Sequence, residues 1–563
     1  MSKKARNINK NKFNVIDLIL IISPFLCGLM PLWSLCILGV SSLIGIAYNL
    51  HKNSHIRLPK GLSIYLILLY LISPLLTEFF AIDKGMNLLG FFKNIPIILF
   101  IVLLSQYDED EDAKNRHFYN IAISCSISVL TSLFLMLFWI DALYDNNRLQ
   151  GIFFYANSYG LFLLIGLLTL LFRSEKKWHD YLMMLILIIG IILTNSRAII
   201  VMTPILIIAS IFFNKQNLKS SLATLSAFIL LFVGAYTISN MEKRVSTDMI
   251  SSSEFTSRLI YYNDTTSMII KNPLGLGYEG FWYNQAKEQT GVYDSKFVHS
   301  SILQVALDYG IIPTIVLIVL LGITFFNKKQ TAFSRIIMIA ILGHSIIDID
   351  LEFIYFILII SLFIEYKTIQ IGAKKMTYAL CSILSILFIW LMIGDIYYNV
   401  GMKTNSKNKT TYLKNAESII PFHTDNLQEI LYNTTNETEQ LKYASKILKY
   451  NKNVSGAYEA LRNDYIKDNN FEDAIKCEES RVSLNKYKIY TYVDYADTLI
   501  KAHNYYKDES KKKECLEKII NIEKMIKNTL DETNPLCYKT IHPPELDIPS
   551  ELETLIEKCK NTL

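Results

Sequence analysis

Charge is scarce in this sequence. Asp, Glu, Lys and Arg make up 19% of its 563 residues, against about a quarter in an ordinary soluble domain. Glycine (22) and proline (13) are too few for a collagen-like or Pro/Gly-rich disordered chain. There are eight cysteines but no Cys-x-x-Cys pair, so neither a zinc site nor a redox motif is indicated. The net charge of +5 is mild, and no basic helix with interleaved aromatics points to nucleic acid. What the chain does have is apolar length. Hydrophobic residues reach 51%, concentrated in long runs between 13 and 400, while 401–563 reads as soluble. An all-soluble enzyme is excluded.

A span needs about 20 apolar residues, fewer inside a bundle. The runs 14–30, 32–49, 62–81, 86–105, 118–140, 156–173, 180–195, 197–213, 219–239, 302–326, 334–347, 349–366 and 377–398 qualify. The expectation is an all-α, polytopic membrane protein of about 12–13 transmembrane helices followed by a soluble helical domain. Basic residues set its orientation. With a cytoplasmic basic tail over 1–13, the cytoplasmic loops hold Lys52, Arg57, Lys60, Arg173, Lys176, Lys177, Lys215, Lys219, Lys328, Lys329, Arg335, Lys367, Lys374 and Lys375. The short outer loops hold only Lys84, Arg148 and Arg197. On this reading 14–400 is a membrane domain of the cytoplasmic membrane, with a large extracytoplasmic loop at 240–301. The domain 401–563 is then extracytoplasmic as well. Nucleotide sugars and ATP are absent from that side, so chemistry there needs a substrate activated in the membrane.

Ionisable residues beside a membrane are costly and are functional candidates. Of nine histidines, only His299 and His344 fall at the outer ends of spans; His117 is read as lying on a cytoplasmic loop. Arg258 lies in the long outer loop, Arg197 at the boundary of two spans, and Arg148 precedes Tyr155-Ala156-Asn157. Arginine forks onto phosphate and stays charged. Histidine can take a hydroxyl proton near neutral pH. Together they suit group transfer from a lipid diphosphate to an acceptor hydroxyl, without a metal or cofactor. Each also has a plainer role, as a headgroup anchor or a span-end residue. Asp348 and Asp350 read first as caps of the turn between two short spans, and second as a pair able to hold a divalent cation. Gly275 and Gly277 read as a tight turn, because no strand-turn-helix context surrounds them.

These segments, in order, resemble the O-antigen ligase/polymerase superfamily. They are Arg148-Leu-Gln-Gly151 with Tyr155-Ala-Asn157, Thr194-Asn-Ser-Arg197, Arg258-Leu, Asn272-Pro-Leu-Gly-Leu-Gly277, and His299-x-x-x-Leu-Gln304 with Tyr309-Gly310-Ile311. The later His344-Ser and Asp348-x-Asp350-Leu351 look like the Gram-positive-type branch with tetratricopeptide-like tails. The resemblance implies a GT-C-like, metal-independent, inverting glycosyltransferase. Such an enzyme moves a glycan from an undecaprenyl-diphosphate carrier to a glycan, lipid-anchor or protein acceptor, in cell-surface polysaccharide assembly. By that analogy Arg197 and Arg258, with Arg148, bind the donor diphosphate, and His299 is the general base or positions the acceptor. Asn157, Gln304, His344, Asp348 and Asp350 are supporting residues. Where the family often has His-Asn, this chain has His299-Ser300.

Other activities stay open: a repeat-unit polymerase, a protein O-oligosaccharyltransferase, or a flippase for lipid-linked sugars. A flippase would need charges along a continuous path, whereas here they gather at one face. The tail shows an echo near 34 residues, with Tyr458 aligned to Tyr492, Leu461 to Tyr495 and Phe471 to Tyr505. That period is the signature of tetratricopeptide pairs, which bind partners more often than they perform chemistry.

Overall fold

The computed structural model describes residues 13–107, 110–138, 143–145, 148–213, 217–238, 253–405, 408–540 and 542–563. Most of the basic tail (1–12) and the first part of the long loop (239–252) lie outside the described residues. Helix dominates throughout. Among the described residues five helices are long and apolar enough to cross a membrane: Leu32–Asn53, Lys84–Leu104, Glu111–Met136, Leu218–Thr237 and Lys374–Lys403. Seven shorter apolar helices occupy other expected runs: Val15–Phe25, Leu62–Leu71, Ala156–Phe172, Trp178–Leu193, Arg197–Phe213, Ile311–Phe326 and Ala332–Ser345. The chain is a polytopic, all-helical membrane protein.

Several of the expected runs are interrupted, and two of the interruptions shape the site. The run 302–326 splits at Gly310 (φ +94°) into Ser301–Tyr309 and Ile311–Phe326. The run 349–366 keeps only Ile354–Ser361 as α-helix, after a 3-10 turn at Asp350–Glu352. The break at Gly310 is pinned by the turn at Asn272–Tyr278. Leu276 N donates to Leu307 O (2.8 Å), Gly277 N to Asp308 O (2.8 Å) and Ile311 N to Pro273 O (2.9 Å). Gly275 has φ +91°, and a Cβ there would lie 2.6 Å from Asp308 O. Only glycine fits without strain. This is the tight turn expected from the sequence.

Without water, helices associate through close packing, which favours small residues at crossings. A Cβ on Gly166 would lie 2.8 Å from Cys125 Sγ, and one on Gly190 would lie 2.7 Å from Val129. These contacts bind Glu111–Met136, Ala156–Phe172 and Trp178–Leu193 into the heart of the bundle. One end is closed by an antiparallel strand pair, Ile56–Lys60 with Lys367–Ile371. Lys114 and Lys329 meet Glu365 at that end (3.6 and 3.1 Å), and Asn217 reaches the Leu171 and Arg173 carbonyls (3.0 and 2.9 Å). His117 is not on a loop, as the sequence reading had it. Asp110 caps the helix that starts at Glu111, so His117 lies nearly two turns in. There it is fully buried and 2.7 Å from Asp17.

Past Lys403 the chain makes a succession of helices from Lys409–Ile419 to Ser550–Thr562. Tyr458 and Tyr492 are each the fourth residue of their helices, Ser455–Lys467 and Ile489–Tyr505. The Phe471–Tyr505 equivalence does not hold. Phe471 opens one helix and Tyr505 closes the next, and their rings touch at 5.1 Å. Ile489–Tyr505 is 17 residues against 13 for Ser455–Lys467, which shifts the register by a turn. Arg481, 1% exposed, ties three of these helices through Glu478 (2.9 Å), Asp494 (3.0 Å) and Glu459 (3.1 Å). All eight cysteines are free.

This C-terminal unit docks on the end of the bundle opposite the strand pair. Asp83, the cap of Lys84–Leu104, accepts from Thr424 Oγ1 (3.0 Å) and Asn451 Nδ2 (2.9 Å). Lys296 bridges Glu279 (2.8 Å) and Asp425 (3.3 Å), and Tyr283 donates to Asp425. Burial disfavours the Lys296 ammonium, but the two carboxylates win and hold its pKa above the ordinary lysine range.

Candidate active site

The turn between Ala332–Ser345 and Ile354–Ser361 carries Asp348, at the same end as the C-terminal unit. Its backbone carbonyl accepts from Ser301 N (2.9 Å) and Ser301 Oγ (2.8 Å). Those bonds fasten the start of the Ser301–Tyr309 helix to the turn. The residue two before, His299, is thereby brought beside the Asp348 carboxylate. Ser300 caps the helix through Leu303 N, so the helix starts two residues after His299. His299 itself has left-handed backbone, φ +58°, a conformation that costs on the order of 1 kcal/mol or more in a non-glycine residue. Its carbonyl accepts from the Tyr262 hydroxyl (2.8 Å). Gln304 secures the preceding residue, accepting from Val298 N (3.0 Å) while donating to both oxygens of Asp308 (3.0 and 3.1 Å). Gln304 is thus a brace for the loop.

Four side chains converge on Asp348. The Tyr155 hydroxyl donates to Oδ1 (2.5 Å) and Asn157 Nδ2 to Oδ2 (2.6 Å). Arg258 Nη2 lies 3.5 Å from Oδ2, with Nη1 donating to Ile347 O (2.8 Å). His299 Nδ1 lies 3.8 Å from Oδ1 and 3.4 Å from the Tyr155 hydroxyl. Burial alone would raise the Asp348 pKa. The neighbouring His299 ring and the Arg258 charge outweigh it and hold the carboxyl well below the usual range. Asp348 is therefore an anion at neutral pH.

Arg148 joins from the short strand Arg148–Leu149 by donating to Asn157 Oδ1, and its Nε donates to Thr194 O (3.1 Å). Thr194 ends three residues before Arg197, which opens the helix Arg197–Phe213. Asp350 turns the other way. It accepts from Ser158 Oγ (2.7 Å) and pairs with His344 Nδ1 (2.6 Å), both fully buried. Asp348 and Asp350 serve separate partners, so the Asp-x-Asp pair does not converge on a shared point. Among the described residues no group of three His, Cys, Asp or Glu side chains could hold a metal ion.

The structure brings together His299, Arg258, Arg148, Asn157 and Asp348; Arg197 opens its helix three residues after Thr194. His344 and Asp350 form a buried brace beneath. The rank of Asp348 changes most. Read from sequence as a turn cap, it is the residue on which the others converge. Tyr155, Tyr262 and the Thr194 carbonyl were not singled out. For Tyr155 the signal was its place in the Tyr-Ala-Asn segment. His299 and Arg258 keep side-chain exposures of 24% and 27%, against 2% for Asp348. A ligand can reach the imidazole and guanidinium, while the carboxylate acts through them.

Residues 182–318 match the family model described as O-antigen ligase. The match takes in Arg197, Arg258, His299 and Gln304, and leaves Arg148, Asn157 and Asp348 outside. No curated protein and no solved structure matches the chain.

Proposed function

We propose that this chain, a membrane protein of the O-antigen ligase superfamily by its segment 182–318, transfers a glycan from a polyprenyl-diphosphate carrier to an acceptor hydroxyl. The reaction takes place at the outer face of the cytoplasmic membrane. The observation that carries this reading is the convergence of His299 and Arg258 on buried Asp348. His299 Nδ1 faces the carboxylate, which stabilises the imidazolium. Nε2 is then the atom that takes the acceptor proton. The acceptor oxygen forms a bond to the anomeric carbon as the bond to the phosphate oxygen breaks, giving inversion in a single displacement. The diphosphate leaves on the carrier, its charge met by Arg258 and, further out, Arg197 and Arg148. Permanent cations in this role make a metal unnecessary.

Orientation follows from basic-residue asymmetry, which assigns the strand-pair end, with Lys114, Lys329 and Lys367, to the cytoplasm. The C-terminal helices, whose spacing suits tetratricopeptide pairs, then lie outside, over the site. The test is glycan transfer by the purified full-length protein in nanodiscs, with carrier-linked glycan from the source cells as donor. His299→Ala and Arg258→Ala should each abolish transfer at unchanged membrane abundance. Normal transfer in both would sink the assignment. In cells, accumulation of finished carrier-linked chains in a deletion strain favours a ligase, and accumulation of single repeat units a polymerase.

A further inference from the structure

Between the Gly280–Glu288 helix and the C-terminal helices lies a cleft of about 630 Å³, within the size range of ligand pockets. Its walls come from both parts of the chain. Trp282 and Tyr293 belong to the outer loop, Tyr398 to the end of the last long helix, and Tyr432 and Tyr487 to the C-terminal unit. Planar polar groups stand among these rings: Gln285, Gln428, Asn453 and Asn485, with the carboxylate of Asp294. Tyr432 is 63% exposed although aromatic, and Trp282 is only half-buried.

Flat aromatic faces alternating with amides and a carboxylate match one ligand chemistry well. A sugar ring offers an apolar C–H face to stack on and equatorial hydroxyls that donate and accept together. Amide side chains pair with such hydroxyls in both senses, and Tyr and Trp supply apolar area with a polar tip. The cleft is also joined to the reaction centre. The Tyr293 ring lies 4.5 Å from that of Tyr261, which in turn stacks against His299 at 6.3 Å.

We propose that this cleft is a carbohydrate-binding site, which holds an oligosaccharide so that its end reaches His299. The inference rests on the transferase reading and deepens it: the C-terminal helices complete a glycan groove. The glycan could be that of the donor or that of the acceptor, and the experiment separates them. Full-length protein in nanodiscs is titrated with two fluorescently labelled probes. One is the oligosaccharide released by mild acid from the carrier pool of the source cells, and the other is that released from their surface polymer. Binding is read by anisotropy. Wild type should bind at least one probe, and Trp282→Ala and Tyr432→Ala should each weaken it tenfold or more. Trp282→Phe should restore most of the affinity. Whichever probe binds names the donor or acceptor side. Failure of both probes to bind a wild-type protein that transfers glycan would overturn the proposal. So would unchanged affinity in Tyr432→Ala, whose exposed ring can be removed without unfolding the protein. Binding by a wild-type protein that transfers nothing sinks the transferase reading alone.

Discussion

The Tyr155 hydroxyl donates to Asp348 Oδ1 at 2.5 Å, and His299 Nδ1 approaches the same oxygen at 3.8 Å. A single buried carboxylate thus orients a phenol and an imidazole together. Tyr155→Phe removes the hydroxyl but keeps the ring stacked on Phe353 (6.1 Å). The expected outcome is a transfer rate about 10- to 150-fold lower with the fold intact, since one hydrogen bond to a charged group contributes about 1.5–3 kcal/mol. An unchanged rate would remove Tyr155 from the site.

Asp348→Asn should cost more. Its charge stabilises the protonated His299, and general base catalysis contributes about 100-fold or more. The substitution is nearly isosteric, so thermal melting in detergent checks the fold while the transfer assay reads the chemistry. A loss of less than threefold would return Asp348 to the role of a turn cap.

Arg258→Lys keeps the charge and loses the fork that reaches both Ile347 O and Asp348. Lysine does not replace a guanidinium that bonds on two sides. The expected result is a kcat/KM much reduced, close to that of Arg258→Ala. Full activity in Arg258→Lys would mean that charge alone is required.

Transfer should continue in excess EDTA, because the proposed leaving-group charges are met by arginine. Loss of most of the rate, restored by added Mg²⁺, would overturn the metal-independent mechanism.

His423 reports on docking of the C-terminal unit. Burial pushes its pKa down to about 4, with Asp425 opposing and Lys296 assisting. Its ordinary value is about 6.5, so the unfolded state binds the proton first as pH falls. The stabilising contribution of the neutral ring is therefore complete above about 6.5 and declines as pH drops toward 4. Amide-exchange protection factors in Thr424–Asn433, which remove the intrinsic pH dependence, should fall as pH drops through that window, and His423→Gln should flatten the dependence. Identical pH profiles in the two proteins would show that His423 does not govern docking.

Membrane class and most of the apolar helices were legible from sequence. Apolar runs and basic-residue asymmetry are local properties, written in consecutive residues. The break at Gly310 and the turn at Gly275 and Gly277 were visible as glycines, but not as partners. The 34-residue echo located Tyr458 and Tyr492 in equivalent places, yet misaligned Phe471 with Tyr505, because helix length had drifted between units.

Tertiary structure decided the centre of the site. Asn157 and Asp348 are 191 residues apart, and Tyr155 and Asp348 are 193 apart. Such pairings depend on how helices pack, and no local period encodes them. Asp348 and Asp350 look alike in sequence, two residues apart on a turn. Only the packing of Ala156–Phe172 against that turn turns one carboxylate toward His299 and the other toward His344. The cleft over the site has the same origin: its walls come from segments that are distant in sequence, and docking of the C-terminal helices makes them neighbours.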